Sequence, residues 1–163
     1  MRKFSQFKPI RKINEQDEIV QYDQQQAKPI LVPNQIKKGP VSFFSKLLES
    51  REMAQVYHWT VKGDMGSHAA HLALQEYYEG IITFIDEMVE VYQGQYGLLE
   101  GYDIINTTDS KTKDKIEYFT EIADFIKRER FNAISESDTH IHNIVDEALA
   151  LVYKTLYKLK FNK

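Results

Sequence analysis

The sequence predicts an all-α chain, a four-helix bundle with a crossover connection, preceded by an extended N-terminal arm. Apolar residues recur at the i, i+3, i+4, i+7 spacing of amphipathic helices after residue 40, and no segment alternates as a β-strand would. Breaks rich in glycine or polar residues separate four long helical segments, and the middle break is longer than the others. A long middle connection is typical of bundles in which the chain crosses from one end to the other.

The first forty residues differ from the remainder in charge. They hold eight Lys and Arg and four acidic residues, which gives a net charge of +4, whereas the other 123 residues carry −7. Pro9, Pro29 and Pro33 interrupt any long helix because proline lacks the N–H donor. We therefore predict an extended basic arm at residues 1–40 and a bundle at residues 41–163. A solubilising tail, a nucleic-acid-binding arm and an arm that docks on a neighbouring subunit all remain open.

The first two predicted helices follow this boundary. The first begins near Pro40, which suits a first helical turn, and ends at Gly63. The second runs over about residues 68–92, with Asp64 or Ser67 as its cap. Glycines at positions 94 and 97 are expected to stop it. The residues that recur at helical spacing are Phe44, Leu47, Leu48, Arg51, Ala54, Gln55 and His58 in the first helix, and Leu74, Tyr78, Ile81, Ile82, Ile85 and Val89 in the second.

The third and fourth helices come after the long connection at residues 97–111. The third is predicted over about residues 113–134, and the fourth runs from the break at 135–138 to about residue 159. Their inward residues are predicted to be Ile116, Phe119, Ile122, Ala123 and Ile126, then Ile141, Ile144, Val145, Ala148, Leu149, Val152 and Leu156. His140 and His142 are two residues apart, so they do not share a helix face, and we interpret them as capping or surface residues.

Composition excludes several kinds of site. The 163 residues include no cysteine, so disulfides, thiolate metal sites, iron–sulfur clusters and cysteine nucleophiles are ruled out. Any metal site has to use His, Asp and Glu. The net charge of −3 is not that of a general nucleic-acid binder. No apolar run approaches the roughly 20 residues that span a bilayer, and no apolar signal core opens the sequence. We therefore expect no membrane partner and a cytoplasmic location.

Four side chains in the first two helices are candidate metal ligands: His58, His71, Asp86 and Glu90. Taken singly, a helix histidine is usually packed in a core, and a run of acids is usually a solvated face. Asp86 and Glu90, however, are four residues apart and project side by side. His71 precedes Asp86 by fifteen residues, about 22 Å along a helix. If these two bind one ion, the site has to form between two chains.

The pattern resembles the family of DNA-binding proteins from starved cells, the Dps proteins or mini-ferritins. The resemblance is close over residues 41–93. It rests on Tyr57-His58-Trp59-Thr60-Val61-Lys62-Gly63, on His71, and on Ile85-Asp86-Glu87-Met88-Val89-Glu90. Thr60 stands where the family usually has Asn, and the loop at 64–67 is one residue longer.

The resemblance implies a ferritin-like fold and an intersubunit ferroxidase site. In the family, two histidines of one subunit and two carboxylates of its two-fold mate form that site, which here corresponds to His58, His71, Asp86 and Glu90. Non-haem iron would be oxidised there and stored in a hollow homo-oligomer of two-fold dimers, with twelve subunits as one candidate number. Tyr57, Trp59 and the stripe through His58 are then expected to be buried at the two-fold contact.

Two alternatives remain open. The connection at residues 94–111 lacks the family's short interfacial helix, and a phage-encoded Dps-like variant could reuse the fold as a ring or assembly component of a virion. In that case the location is the virion and other virion proteins bind residues 1–40. The third possibility is a DNA-protecting protein that uses the basic arm, although the overall charge makes DNA a weak partner.

Overall fold

The computed structural model describes residues 21–22, 29–30, 38–63 and 67–162. Four α-helices carry the chain: α1 Lys38–Thr60, α2 Ser67–Tyr96, α3 Lys115–Ala133 and α4 Thr139–Phe161. A short 3₁₀ helix spans Thr108–Lys111. The neighbouring helix pairs are α1–α2, α2–α4, α1–α3 and α3–α4, so the predicted four-helix bundle is confirmed. None of the helices in the described ranges is long and apolar enough to cross a membrane.

The chain divides into two compact units, Met1–Gln35 and Ile36–Lys163. In the first unit, β1 Gln21–Tyr22 and β2 Pro29–Ile30 pair antiparallel, with Gln21 opposite Ile30. Two-residue strands are too short to show alternation, so the sequence pattern did not indicate them. Most of the predicted extended arm, residues 1–40, lies outside the described residues, as does the candidate cap Asp64.

Helix directions follow from contacts at the helix ends. The ring of Phe44, near the start of α1, lies 5.8 Å from that of Tyr92, near the end of α2. The Tyr57 hydroxyl, near the end of α1, donates to the Lys113 carbonyl at 3.0 Å, just before α3 begins. Both α2 and α3 therefore run opposite to α1 and parallel to each other.

The connection between α2 and α3 has to cover the length of the bundle because those helices are parallel. It passes over α1, where the Asp103 N–H donates to the Ser45 hydroxyl at 2.9 Å, and reaches Lys113 beside Tyr57. Ser45 is only 6% exposed because this segment covers it.

The core lies between the four helices, and the buried face of α2 only partly coincides with the apolar stripe of the sequence. Half of that stripe is fully buried: Leu74, Ile81 and Ile85. Tyr78 and Val89 of the stripe are only half-buried, and Tyr77 and Met88 are fully buried in their place. Apolar residues cover such a wide arc of α2 that periodicity alone does not locate its centre.

The predicted stop at Gly94 was wrong, because α2 continues to Tyr96. Gly94 is exposed, and a glycine in an exposed helix costs only about 1 kcal/mol relative to alanine. The helix ends before Gly97, which has a φ of +92° that other residues rarely adopt. The Gly97 N–H donates to the Gln93 carbonyl at 2.8 Å and closes the last turn.

Candidate metal site at the α1–α2 junction

His58 and His71 meet inside one chain. His58 lies in the last turn of α1 and His71 near the start of α2, and their rings stack with centroids 3.6 Å apart and planes 25° apart. Both side chains are half-buried. The end of α1 and the start of α2 therefore lie side by side, and the two predicted histidine ligands are neighbours.

Hydrogen bonds fix which nitrogen of each ring carries the proton. His58 Nδ1 lies 3.0 Å from the carbonyl oxygen of His71, and His71 Nδ1 lies 3.2 Å from that of His58. A carbonyl oxygen only accepts, so each Nδ1 donates. In the neutral rings each Nε2 then keeps its lone pair, and neither Nε2 has a hydrogen-bond partner among the described residues. Imidazole rings held in this way at Nδ1 are typical of metal ligands.

Two further residues support the histidine pair, and the sequence reasoning assigned neither of them a role there. The ring of Tyr78 meets the His58 ring edge to face, with centroids 5.4 Å apart and planes 84° apart. The guanidinium of Arg51 lies 5.8 Å from the centroid of the Tyr78 ring. Arg51 and His58 are seven residues apart on α1, which indicates that they share a helix face. That spacing does not indicate that Arg51 lies over the ring of Tyr78.

Asp86 and Glu90 are exposed on α2 and lie away from the histidines. Neither carboxylate makes an ion pair with a residue of the described ranges. Across residues 38–63 and 67–162, no three His, Asp or Glu side chains gather as a metal-binding group. Within one chain, the structure thus brings His58 and His71 together and leaves Asp86 and Glu90 separate from them.

The expectation that Tyr57 is buried by a partner was wrong, because its own chain buries it. Tyr57 is 6% exposed, and its ring meets that of Tyr118 at 5.8 Å. Burial raises the pKa of Tyr57 to about 12. Trp59, in contrast, is 69% exposed and remains available to a partner. Tyr57 faces α3 because it lies one residue, about 100°, before His58 on the helix.

Two further histidines lie at the start of α4, and His142 among them is structural. The prediction that His142 caps a helix or lies at the surface was wrong, because His142 is buried. Its Nδ1 accepts from Arg130 Nε at 3.2 Å, and its Nε2 donates to the Ser135 carbonyl at 3.0 Å. His140 is exposed, and its Nε2 donates to the Gln95 side-chain oxygen at 3.1 Å. Arg130 is twelve residues from His142, so only the packing of α3 on α4 shows this contact.

Residues 58–159 match a family model that is described as a family of unknown function (DUF5856). The chain belongs to this family. The matched range contains His58, His71, Asp86 and Glu90 and most of the bundle, so family membership and the candidate site concern the same part of the chain. No curated protein and no solved structure matches the chain significantly.

Proposed function

We propose that this member of DUF5856 is a Dps-like mini-ferritin that binds and oxidises ferrous iron at a site shared by two chains. The observation that carries the proposal is the histidine pair: His58 and His71 stack, and each donates through Nδ1 to the other's backbone carbonyl. In the neutral rings both Nε2 atoms are then acceptors on adjacent rings. Imidazole nitrogen and carboxylate oxygen together suit ferrous iron.

The carboxylates of the proposed site come from a second copy. Asp86 lies fifteen residues, about 22 Å, along α2 from His71, so a single chain does not supply both to one ion. Both Asp86 and Glu90 are exposed, which leaves them free to meet a partner. The charge of −7 over residues 41–163 also favours the accumulation of cations at the surface of an oligomer.

Topology supports a ferritin-like assignment. Contacts of the connection with Ser45 and of Lys113 with Tyr57 support a crossover course between the parallel helices α2 and α3. Iron is the substrate in this proposal. Two ferrous ions would lose one electron each, and one hydrogen peroxide with two protons would take both electrons and become two water molecules. Dioxygen is the alternative oxidant.

A mixing experiment tests the shared site. His58→Ala and Asp86→Ala should each be inactive alone in ferrous oxidation, followed by the absorbance of the ferric product. In a mixed two-fold pair, the intact histidines of one chain face the intact carboxylates of the other at one of two sites. Reassembled mixtures should therefore regain part of the activity. Inactive mixtures in which mixed oligomers are verified would exclude a site shared between chains.

An assembly role without iron chemistry is the second candidate, as in a virion ring. Large apolar side chains that are well exposed on the connection favour it, Leu98 and Ile104 above all. Wild-type protein that forms ordered oligomers but does not oxidise ferrous iron would favour this role. A DNA-protecting role depends on residues 1–40, most of which lie outside the described ranges, and salt-dependent DNA retention tests it.

A further inference from the structure

Helix α4 carries a row of large exposed side chains on its solvent face. Tyr153, Tyr157 and Phe161 follow one another at four-residue spacing and are 47%, 60% and 67% exposed. Asn143 and Ala150 precede Tyr157 at seven-residue spacing, close to two helical turns, so they continue the row. We call these five residues the α4 ridge. Because α4 packs on α2 and α3, the ridge lies across the bundle from α1.

Two opposite charges lie beside the ridge on its α2 flank. Lys158 marks that flank because it pairs with Glu76 of α2. Lys154 is four residues before Lys158, and Glu147 is seven before Lys154, so all three share one side of α4. Glu147 and Lys154 are both exposed, and neither makes an ion pair with a residue of the described ranges.

Charge changes sign along the ridge, with Ala150 at the division. Glu87 belongs to its first half, because it is seven residues after Gly80, which lies against Leu151. With histidines neutral, the charged side chains that line the first half sum to −2: Glu87, Arg130, Asp146 and Glu147. Those that line the second half sum to +1: Glu76, Glu117, Asp124, Lys127, Lys154, Lys158 and Lys160.

Other acidic residues near the end of α4 belong to the opposite side of α3. The Lys113 carbonyl accepts from Tyr57 of α1, so this group of charges lies on the α1 side. Lys113 pairs there with Asp109 and Glu121, and Lys115 pairs with Asp114. With Lys111 included, the three acids and three lysines of this group cancel. They therefore do not reverse the charge of the second half of the ridge.

We propose that the α4 ridge binds the α4 ridge of a second copy of this chain, antiparallel, across a two-fold axis at Ala150. Glu147 lies about 4.5 Å before Ala150 along the helix, and Lys154 lies about 6 Å after it. In the antiparallel pair they come to nearly the same level. The two-fold axis keeps both α2 flanks on one side, so Glu147 of each copy meets Lys154 of the other.

The same register covers the exposed aromatic side chains. Asn143 and Tyr157 are each seven residues, about 10.5 Å, from Ala150, so Tyr157 of one copy packs over Asn143 of the other. Thr139 and Phe161 are each eleven residues from Ala150 and meet in the same way. An antiparallel pair sets the acidic half of one ridge against the basic half of the other. A parallel pair sets like charges together, which costs free energy.

This contact goes beyond the proposed function, because the ridge contains none of the four candidate ligands. The interface is isologous, so every contact forms twice. A chain that uses it together with a separate two-fold contact at the shared metal site forms assemblies larger than a dimer.

Cross-linking in iron-free buffer tests the axis, because the chain has no cysteine of its own. Ala150→Cys alone should give covalent dimers with a short bis-maleimide, since a residue at a two-fold axis meets its own copy. Glu100→Cys is the matched control. It is exposed on the connection, which passes over α1, and it should give few dimers.

Charge reversal in the Ala150→Cys chain tests the register. Glu147→Lys or Lys154→Glu alone should lower the initial rate of dimer formation by about tenfold, because like charges then meet twice. The double variant Glu147→Lys/Lys154→Glu should restore the rate, since both ion pairs form again with their signs exchanged. Glu100→Lys in the same chain should leave the rate unchanged.

Three results would overturn the inference: no cross-linking of Ala150→Cys, equal cross-linking of Glu100→Cys, and a double charge variant as slow as the single ones. Uncross-linked Ala150→Cys whose retention of a single-stranded oligonucleotide depends on Lys154 would assign the ridge to a polyanion instead. None of these measurements involves iron, so the contact stands or falls separately from the proposed iron oxidation.

Discussion

The two histidine pairs of this chain show how neighbouring atoms decide what a histidine can do. At the α1–α2 junction, His58 and His71 use Nδ1 for backbone carbonyls, and their Nε2 atoms have no partner among the described residues. At the start of α4, His142 uses both nitrogens, one toward Arg130 and one toward Ser135. The first pair therefore retains lone pairs that can bind a metal ion, whereas His142 has none to offer.

The difference comes from what surrounds each ring. The first pair lies where the end of α1 meets the start of α2, so each Nδ1 meets the backbone carbonyl of the other histidine, and the ring of Tyr78 adds a contact to His58. His142 lies under α3, where the guanidinium of Arg130 also donates to its carbonyl at 3.0 Å and pairs with Asp146. Burial and full hydrogen bonding are signs of a structural role, and a half-buried ring with one free nitrogen is a sign of a ligand.

The largest expected effect is the loss of iron binding when a histidine of the first pair is removed. His58→Ala should lower the affinity for ferrous iron by more than about 100-fold, because loss of a ligand exceeds the usual effect of losing an outer-shell group. It should cost only about 1 kcal/mol of unfolding free energy, the value of one hydrogen bond. Calorimetric iron titration and urea unfolding measure the two quantities.

His142→Ala should behave in the opposite way. The Arg130 and Ser135 groups would lose a buried partner, so the free energy of unfolding should fall by about 2–3 kcal/mol. Iron oxidation by the folded fraction should stay close to the wild-type rate. Loss of oxidation in folded His142→Ala, or full oxidation by His58→Ala, would contradict the assignment of His58 as a ligand and of His142 as a structural residue.

The sequence predicts the four helices and the identity of the first pair, but not the contacts that make His142 structural. Helical periodicity is local, so the core stripes of α3 and α4 are largely as predicted: Phe119, Ile122, Val145 and Val152 are buried. The contact of His142 with Arg130 depends on how α3 packs on α4. No local pattern carries that information.

For the candidate site, too, the sequence predicts some features, and others depend on the packing of the helices. A resemblance to a known family indicates the motif around His58, and helix geometry indicates that Asp86 is out of reach of His71 within one chain. The stacked rings and the Nδ1 hydrogen bonds depend on how the end of α1 packs against the start of α2. Tyr57 and Trp59 are two residues apart, and only the packing of α3 shows that one is covered by its own chain.

A smaller effect concerns the acid response of the α4 start. Buried Asp138 accepts from the Tyr96 hydroxyl at 2.6 Å and from the Gln95 side-chain nitrogen at 3.0 Å. The hydrogen bond from Tyr96 is the main cause that lowers the pKa of Asp138. A carboxyl with a lowered folded-state pKa stabilises the fold above its unfolded pKa, about 3.9, and loses that contribution as pH falls.

Tyr96→Phe should therefore lower the Tm by a few degrees at neutral pH, and the gap to wild type should narrow toward pH 3. Scanning calorimetry across this range measures both. Iron oxidation at neutral pH should be unchanged, since this cluster is far along the chain from His58. A constant gap at every pH would mean that Tyr96 stabilises by packing rather than through the ionised carboxylate.

The smallest expected effect is a difference in stability between variants of two buried tyrosines, one with a hydrogen-bonded hydroxyl and one without. The Tyr77 hydroxyl lies 2.7 Å from the Ser50 hydroxyl, whereas the Tyr118 hydroxyl is buried without a hydrogen-bond partner among the described residues. Burial raises the pKa of both phenols, so both stay protonated. Tyr77→Phe should cost about 1 kcal/mol of unfolding free energy, because Ser50 keeps only its bond to the Leu47 carbonyl.

Tyr118→Phe should be neutral or stabilise by up to about 1 kcal/mol. The reason is that an unpaired buried hydroxyl loses its hydration without gaining a bond, and phenylalanine removes that cost while it keeps the ring contacts with Tyr57 and Phe119. Urea unfolding of both variants at the same pH measures the contrast. If Tyr118→Phe costs as much as Tyr77→Phe, the Tyr118 hydroxyl has a partner in the folded protein, and an unpaired atom is then no guide to a residue's role in this bundle.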